Sequence, residues 1–356
     1  MTNSLQQNTY DYIIIGQGIC GTFLSYYLHK AGKNILVYDE ARPDTPSKIA
    51  SGVINPVTGR RLVRTWMIEE VMPFAVAAYQ SLEKELGTAL IQQTNILDFH
   101  PTPQMQLAFD ERLPQETTYL KQVSNPNQWQ QYFNYPFGIG ETDPCWLVDI
   151  NTLLTEWRKQ LKQKNQLIEE AYNINDSKSS TVNLQPTVIF CDGVQGFNNP
   201  YFGSLPYTRM KGEALIVSIP GLPRTNIYKQ GLNIVPWKND LWWVGSSYEW
   251  NFETPNPTEA FKQKIIAQLN AFLKLPYTII DHIAGERPAN MERRPFVGLH
   301  PLYPTIGILN GMGTKGCSLA PYFAYELAAH ITHNKPINPL ANVQRFTKIL
   351  SRHPAA

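Results

Sequence analysis

Charge of one sign is what this chain lacks most visibly: 31 basic and 29 acidic residues leave a net +2, and no block of like charges interrupts the sequence. A nucleic-acid-binding surface needs a concentrated basic footprint, so nucleic acid is not an expected partner. The one basic concentration is Arg60, Arg61 and Arg64. Cysteine is sparse as well. Cys20, Cys145, Cys191 and Cys317 stand far apart with no C-x-x-C spacing, which points to neither a zinc site nor a disulfide framework. Cys20, inside a glycine-rich turn, and Cys191, at a strand end, read as small buried hydrophobes. The seven histidines, His29 and His282 among them, show no metal-ligand spacing and read as structural, so no metal is expected. No apolar run approaches bilayer-spanning length. The opening MTNSLQQNTYDY lacks the basic and apolar regions of a signal peptide. The expectation is a soluble cytoplasmic protein.

What is present is a globular composition, with 43% hydrophobic and 17% charged residues. A chain of 356 residues exceeds what one core usually organises, so two packed domains are expected. Aromatics at 12%, eight of them tryptophan, supply a large core and material for a lined pocket.

The first forty residues carry the strongest pattern. Tyr10 to Ile15 (YDYIII) is a short β-branched apolar run, the mark of a buried parallel strand. Gly16-Gln17-Gly18-Ile19-Cys20-Gly21 follows at once as G-x-G-x-x-G. Phe23, Leu24, Tyr27 and Leu28 then recur at helical spacing until Gly32, and Asn34 to Tyr38 forms a second strand ending on Asp39 and Glu40. Gly16 permits the tight turn, Gly18 lets backbone approach a pyrophosphate, and Gly21 lets helix pack close to strand. The helix start offers free N–H groups and a positive dipole end to phosphates. Asp39 sits where a carboxylate accepts ribose hydroxyls, which favours FAD or NAD over NADP. Glu40 is a second candidate there, or a solvated strand end.

Further along, a helix is expected over about 63–86, irregular strands and turns over about 90–140, and an amphipathic helix over 149–164. Thr187 to Cys191 reads as a buried strand running into Asp192-Gly193. Strand-like runs at 205–219 and 233–247 suggest an antiparallel sheet, a helix follows at 258–273, and a glycine-rich loop leads to a last helix at about 318–330. Nucleotide-domain signals therefore bracket sheet-forming insertions. The expected fold is mixed α/β: a Rossmann-like domain from 1–88, 141–204 and 284–356, discontinuous in sequence, with an inserted antiparallel-sheet substrate domain from 89–140 and 205–283.

Four separated pieces resemble the FAD-dependent amine oxidoreductases that include glycine oxidase, D-amino acid oxidase and monomeric sarcosine oxidase. They are IIIGQGICG with Asp39, SKIASGVINP (Ser47 to Pro56), NIVPWKNDLWWVGSS (Asn233 to Ser247), and GERPANMERRPFVG followed by NGMGTKGCSLAP (Gly285 to Pro321). The last is the most specific. The resemblance implies non-covalent FAD, held by Gly16, Gly18, Ile19, Cys20, Gly21, Asp39 and Glu40. Ser47, Ser51, Gly52, Val53 and Gly193 join them, with Gly311, Gly313, Thr314, Lys315 and Gly316. The second piece is similar to a small-residue segment that passes the isoalloxazine ring. In the fourth, the glycines let backbone lie against a flat ring, Ser318 can cap the next helix, and Pro321 is tolerated in its first turn.

Arg287, in G-x-R-P, resembles the arginine that grips a substrate carboxylate; the plainer role is an ion pair with Glu286 or Glu292. Arg293 and Arg294 have no such match and read as surface. Two roles are open to Lys315, contact with flavin or substrate, or solvation. Tyr248 is a second carboxylate candidate or a packed sheet tyrosine, and Trp237 and Trp243 are candidate walls of the site. The implied reaction takes a hydride from the carbon beside an amine to flavin N5, leaving an imine that water hydrolyses. The small-molecule substrate is an amine or amino acid, and dioxygen, a quinone or another carrier takes the electrons. Competing readings are an NAD-dependent dehydrogenase, which leaves the C-terminal glycine loop unexplained, a tRNA-modifying amine oxidoreductase, and a non-catalytic flavoprotein.

Overall fold

A computed structural model describes residues 10–174 and 185–352; the first nine residues of the opening MTNSLQQNTYDY lie outside them. The chain divides into two compact units, one from residues 1–48, 150–209 and 287–356, the other from 49–149 and 210–286.

The first unit is built on β1 (Tyr12–Ile15), α1 (Ile19–Lys30), β2 (Ile35–Tyr38), α2 (Ile150–Gln163), β3 (Leu167–Ile168), β4 (Thr187–Phe190), β5 (Phe296–Leu299), β6 (Ile306–Asn310) and α3 (Gly316–His333). Its six-stranded sheet runs β5-β6-β4-β1-β2-β3. β1 pairs in parallel with β2 and β4, Tyr12 opposite Ile35 on one side and Thr187 on the other. A strand hydrogen-bonded on both edges and covered on both faces has no polar side to offer, hence the β-branched run. The chain leaves β1 through α1 to β2 on one side, while β4 lies on the other, so the C-terminal end of β1 is a topological switch point. Only β5 runs antiparallel, against β6. α2 buries Leu153, Leu154, Trp157 and Leu161, and the Trp157 indole N–H donates to Ser25 Oγ of α1 at 2.8 Å.

The second unit is a nine-stranded, largely antiparallel sheet. The expected pair in 233–247 is present, with Leu232–Pro236 antiparallel to Trp242–Gly245. One pairing departs from the antiparallel expectation: Ile227–Gln230 runs parallel to Ile91–Phe99. Trp242 and Trp243 point to opposite faces as a period of two requires, each into its own apolar cluster. Trp243 is thus a core residue whose indole N–H donates to Ile49 O at 3.0 Å. Residues 49–88 and 141–149, grouped above with the nucleotide segments, belong to this unit, because Val53–Ile54 pairs with Ile139–Val148 and that strand with Ile91–Phe99.

Two local expectations are corrected. Within 90–140 lies a helix, Pro103–Arg112, capped by Thr102, whose hydroxyl accepts the Met105 N–H. Pro103 marks a helix start rather than a turn, since the first helical N–H has no intrahelical partner to lose. α3 begins at Gly316, so Ser318 lies inside its first turn, donating to Lys315 O at 3.2 Å, and Pro321 is an interior residue.

Candidate cofactor and active site

In the first unit the glycine fingerprint closes the end of β1. Gly16 has φ +97°, and a Cβ there would lie 2.6 Å from Cys191 O; a Cβ on Gly21 would lie 1.9 Å from Gly16 O. Both positions are therefore closed to any side chain, and α1 meets the sheet through bare backbone. Gly18 is the α1 N-cap and supplies no side-chain cap. Ser47 Oγ accepts the Ile19 N–H at 3.1 Å, and Thr22 is the first residue to donate within the helix, to Gly18 O. The N–H groups of Cys20 and Gly21 fall in the turn that has no intrahelical acceptor. Cys20 itself is buried, and burial pushes its thiol up to about 12.

α3 starts in the same way. Lys315 is its N-cap and supplies no side-chain cap, and no acid stands in the first turn of either α1 or α3. By contrast, the helices Pro103–Arg112 and Glu259–Phe272 of the second unit are capped by Thr102 and Thr258. A Cβ on Gly316 would sit 3.4 Å from Ile19 Cγ2, so the two helix starts are neighbours. Two positive dipole ends side by side suit anionic groups such as a pyrophosphate and a flavin edge. Gly311 and Gly313 take φ +77° and +56°. Gly313 N donates to Pro288 O at 3.0 Å, and Asn290 Nδ2 donates to Gly311 O at 3.3 Å. Thr314 is exposed. Burial, then the charge of Arg293, lowers the Lys315 ammonium to about 8.

The acid after β2 is held on both oxygens. Asp39 Oδ2 accepts Gln17 N at 2.8 Å, and Oδ1 accepts Ala41 N at 2.9 Å and Arg158 Nη1 at 2.7 Å. Glu40 accepts from Gln195 at 2.8 Å. Gly193, φ +56°, has open space where a Cβ would be. Beside it Asn310 Nδ2 donates to Gly193 O (2.8 Å) and to Asp192 Oδ1 (2.9 Å), tying the ends of β4 and β6. Desolvation raises the Asp192 carboxyl to about 6 against the hydrogen bonds from Asn199 and Asn310. Arg287 is half-buried at the border of Pro288–Asn290, and Glu292 pairs with Arg345 at 3.1 Å.

The remaining candidates lie in the second unit. Gly52, φ +83°, approaches backbone of its own sheet: a Cβ there would be 2.0 Å from Val148 O. Val53 pairs with Leu147, and Ser51 is half-buried. Tyr248 is 60% exposed. Arg64 spends its guanidinium on buried Glu116 (2.7 and 2.9 Å) and on Glu69, whereas Arg60 and Arg61 are exposed. A buried cluster went unread in the sequence. Glu213 accepts from Thr258 N at 2.6 Å and Thr258 Oγ1 at 2.8 Å and pairs with the Lys211 ammonium at 3.0 Å, while His282 Nε2 lies 2.9 Å from its carboxylate. Lys211 and Glu213 are two residues apart on one strand, but Thr258 and His282 are too far away in sequence for any local pattern to join them to that pair. Arg158 was missed for the same reason.

Among the described residues no group of three or more His, Cys, Asp or Glu is placed to hold a metal ion, and no helix is long and apolar enough to cross a membrane.

A switch-point glycine turn, an acid after the second strand and a second glycine loop at a helix start define a dinucleotide-binding oxidoreductase of the flavoprotein class. The FAD dependent oxidoreductase family model matches residues 11–330, and the chain belongs to that family. Solved structures share its fold. Iminodiacetate oxidase from a Chelativorans species superposes with a TM-score of 0.74 at 18% identity, covering 92% of this chain and 97% of that one. Glycine oxidase from Geobacillus kaustophilus gives 0.74 at 14%, covering 92% and 95%. L-amino acid deaminase from Proteus vulgaris gives 0.75 at 12%, covering 97% and 99%.

Proposed function

We propose that this FAD-dependent oxidoreductase removes a hydride from the carbon beside the amine of a small substrate that also carries a carboxylate. The observation that carries this reading is the place of Arg287, immediately before the Pro288 carbonyl to which Gly313 of the second glycine loop is hydrogen-bonded. A planar fork of donors beside that loop suits a carboxylate and holds the attached carbon at a set distance. Glycine, iminodiacetate and L-amino acids, named for the similar structures, are all amines bearing a carboxylate, which supports the same class.

In this reading the fingerprint N–H groups and the α3 start hold the anionic parts of FAD, and Asp39 the adenosine ribose. Bound FAD supplies the two-electron acceptor. The residues of the chain bind and orient. Arg287 would fix the carboxylate and orient the α-carbon, the hydride would pass to bound FAD as the amine lone pair forms the imine, and water would hydrolyse that imine. The α3 dipole and the Lys315 ammonium favour negative charge at the loop. Tyr248 carries a hydroxyl that can donate to a carboxylate, and Tyr248→Phe tests it separately. The engagement of Arg64 with two glutamates weakens the tRNA reading.

The test is an anaerobic visible spectrum before and after adding a pool of amino acids and secondary amines. Bleaching is expected; a flavin that stays oxidised with every member overturns the substrate class. Arg287→Ala should raise KM for carboxylate-bearing amines by about 100-fold, as for a lost charge-assisted pair, with flavin content unchanged. Loss of flavin would instead make Arg287 structural.

A further inference from the structure

We infer that Arg158 is a positioning residue for the adenosine end of FAD: it occupies one oxygen of Asp39, so that the ribose is gripped through the other oxygen alone. Arg158 comes from α2, remote in sequence from the fingerprint. Its guanidinium makes five hydrogen bonds. Nε and Nη2 donate to Glu169 Oε1 at 3.1 and 2.9 Å, and Nη2 also to Asp39 O at 3.2 Å. Nη1 donates to Asp39 Oδ1 at 2.7 Å and to Gln17 Oε1 at 2.8 Å.

Five bonds match the five N–H donors of the side chain. None is left for a phosphate, so this arginine does not itself take a ligand; it acts through Asp39 and Gln17. Each carboxylate oxygen offers about two acceptor positions. Oδ1 is filled by Ala41 N and Arg158, whereas among the described residues Oδ2 accepts only Gln17 N and keeps one position. That remaining position fits a single ribose hydroxyl. Gln17, the residue between the first two fingerprint glycines, is held from its other end by bonds to Leu154 O at 3.0 Å and Thr22 Oγ1 at 3.2 Å. One guanidinium therefore locks the acid's rotamer and the loop's shape together. An ordinary surface pair does neither, and both partners here are mostly buried, at 17% and 18% side-chain exposure.

The experiment titrates apoprotein with FAD and with ADP, which shares only the adenosine diphosphate end. Arg158→Met should weaken both by about 10- to 100-fold, as for loss of charge-assisted bonds, with Arg158→Lys intermediate. In an Asp39→Asn background the same Arg158→Met change should cost less than about twofold, since the two residues act as one unit. Unchanged affinities would overturn the inference. So would an equal loss in both backgrounds, or a lower apoprotein Tm with unchanged affinity, each of which makes Arg158 merely structural. Should Arg158→Met not fold, Arg158→Lys with and without Asp39→Asn decides alone. Wild-type binding of FAD is the control that separates this inference from the cofactor assignment.

Discussion

Alanine at Gly21 puts the packing of α1 on β1 to a direct test. Gly21 does not have a positive φ, so by helix propensity alone Gly21→Ala should stabilise the chain by about 1 kcal/mol. The geometry reverses that sign. The new Cβ would stand 1.9 Å from Gly16 O, against an ordinary contact of at least 3 Å, so α1 must move by roughly 1 Å. The turn cannot retreat, because the Cβ position of Gly16 is itself only 2.6 Å from Cys191 O. Helix α1 is also pinned by the Trp157–Ser25 bond. Overpacking of this kind costs about 1–3 kcal/mol beyond the propensity gain, giving a net loss of about 2 kcal/mol in denaturant unfolding of the apoprotein. Gly18→Ala is the control. Its Cβ would meet only Ser47 Oγ, at 3.2 Å, a side chain able to turn away. Apoprotein stability should change by less than about 1 kcal/mol while FAD affinity falls, since the methyl occupies the face presented to the pyrophosphate. A Gly21→Ala apoprotein as stable as wild type, or a Gly18→Ala protein that binds FAD normally, would refute this account.

Two further outcomes follow from buried charge. Burial lowers Lys315 from 10.5 to about 8, so its charged form costs folding free energy below pH 8, and stability rises as pH climbs from 8 toward 10.5. Lys315→Met should therefore be more stable than wild type by up to ~3 kcal/mol at pH 7, with the gap closing by pH 10.5; a gap that does not vary with pH in paired denaturant titrations would contradict it. Glu213→Ala leaves Lys211, 1% exposed, without its nearest carboxylate and strips Thr258 N of its acceptor. It should cost about 3–5 kcal/mol in urea unfolding, and a loss under 1 kcal/mol would show the cluster to be replaceable.

Local sequence determined whatever depends on backbone sterics and period. The β-branched run before Gly16 dictates a buried parallel strand, and the glycines at 16 and 21 are required because carbonyl oxygens occupy the space of their Cβ atoms. Asp39 follows from its distance along the same unit, and alternation separates Trp242 from Trp243. Proline was the weaker guide, since Pro103 starts a helix and Pro321 lies within one. Only tertiary structure decided which side chains meet across long separations. Arg158 reaches Asp39 because α2 lies beside the end of β2, and Thr258, at a helix start, and His282, from the neighbouring strand, meet Glu213 beside Lys211 of its own strand. It also decided that Gly52 serves its own sheet, and that two helix starts, almost 300 residues apart, lie side by side at Ile19 and Gly316. The physical reason is common to all of these. Backbone geometry is set by neighbours in sequence, whereas partners for buried charge and for unsatisfied N–H groups are set by neighbours in space.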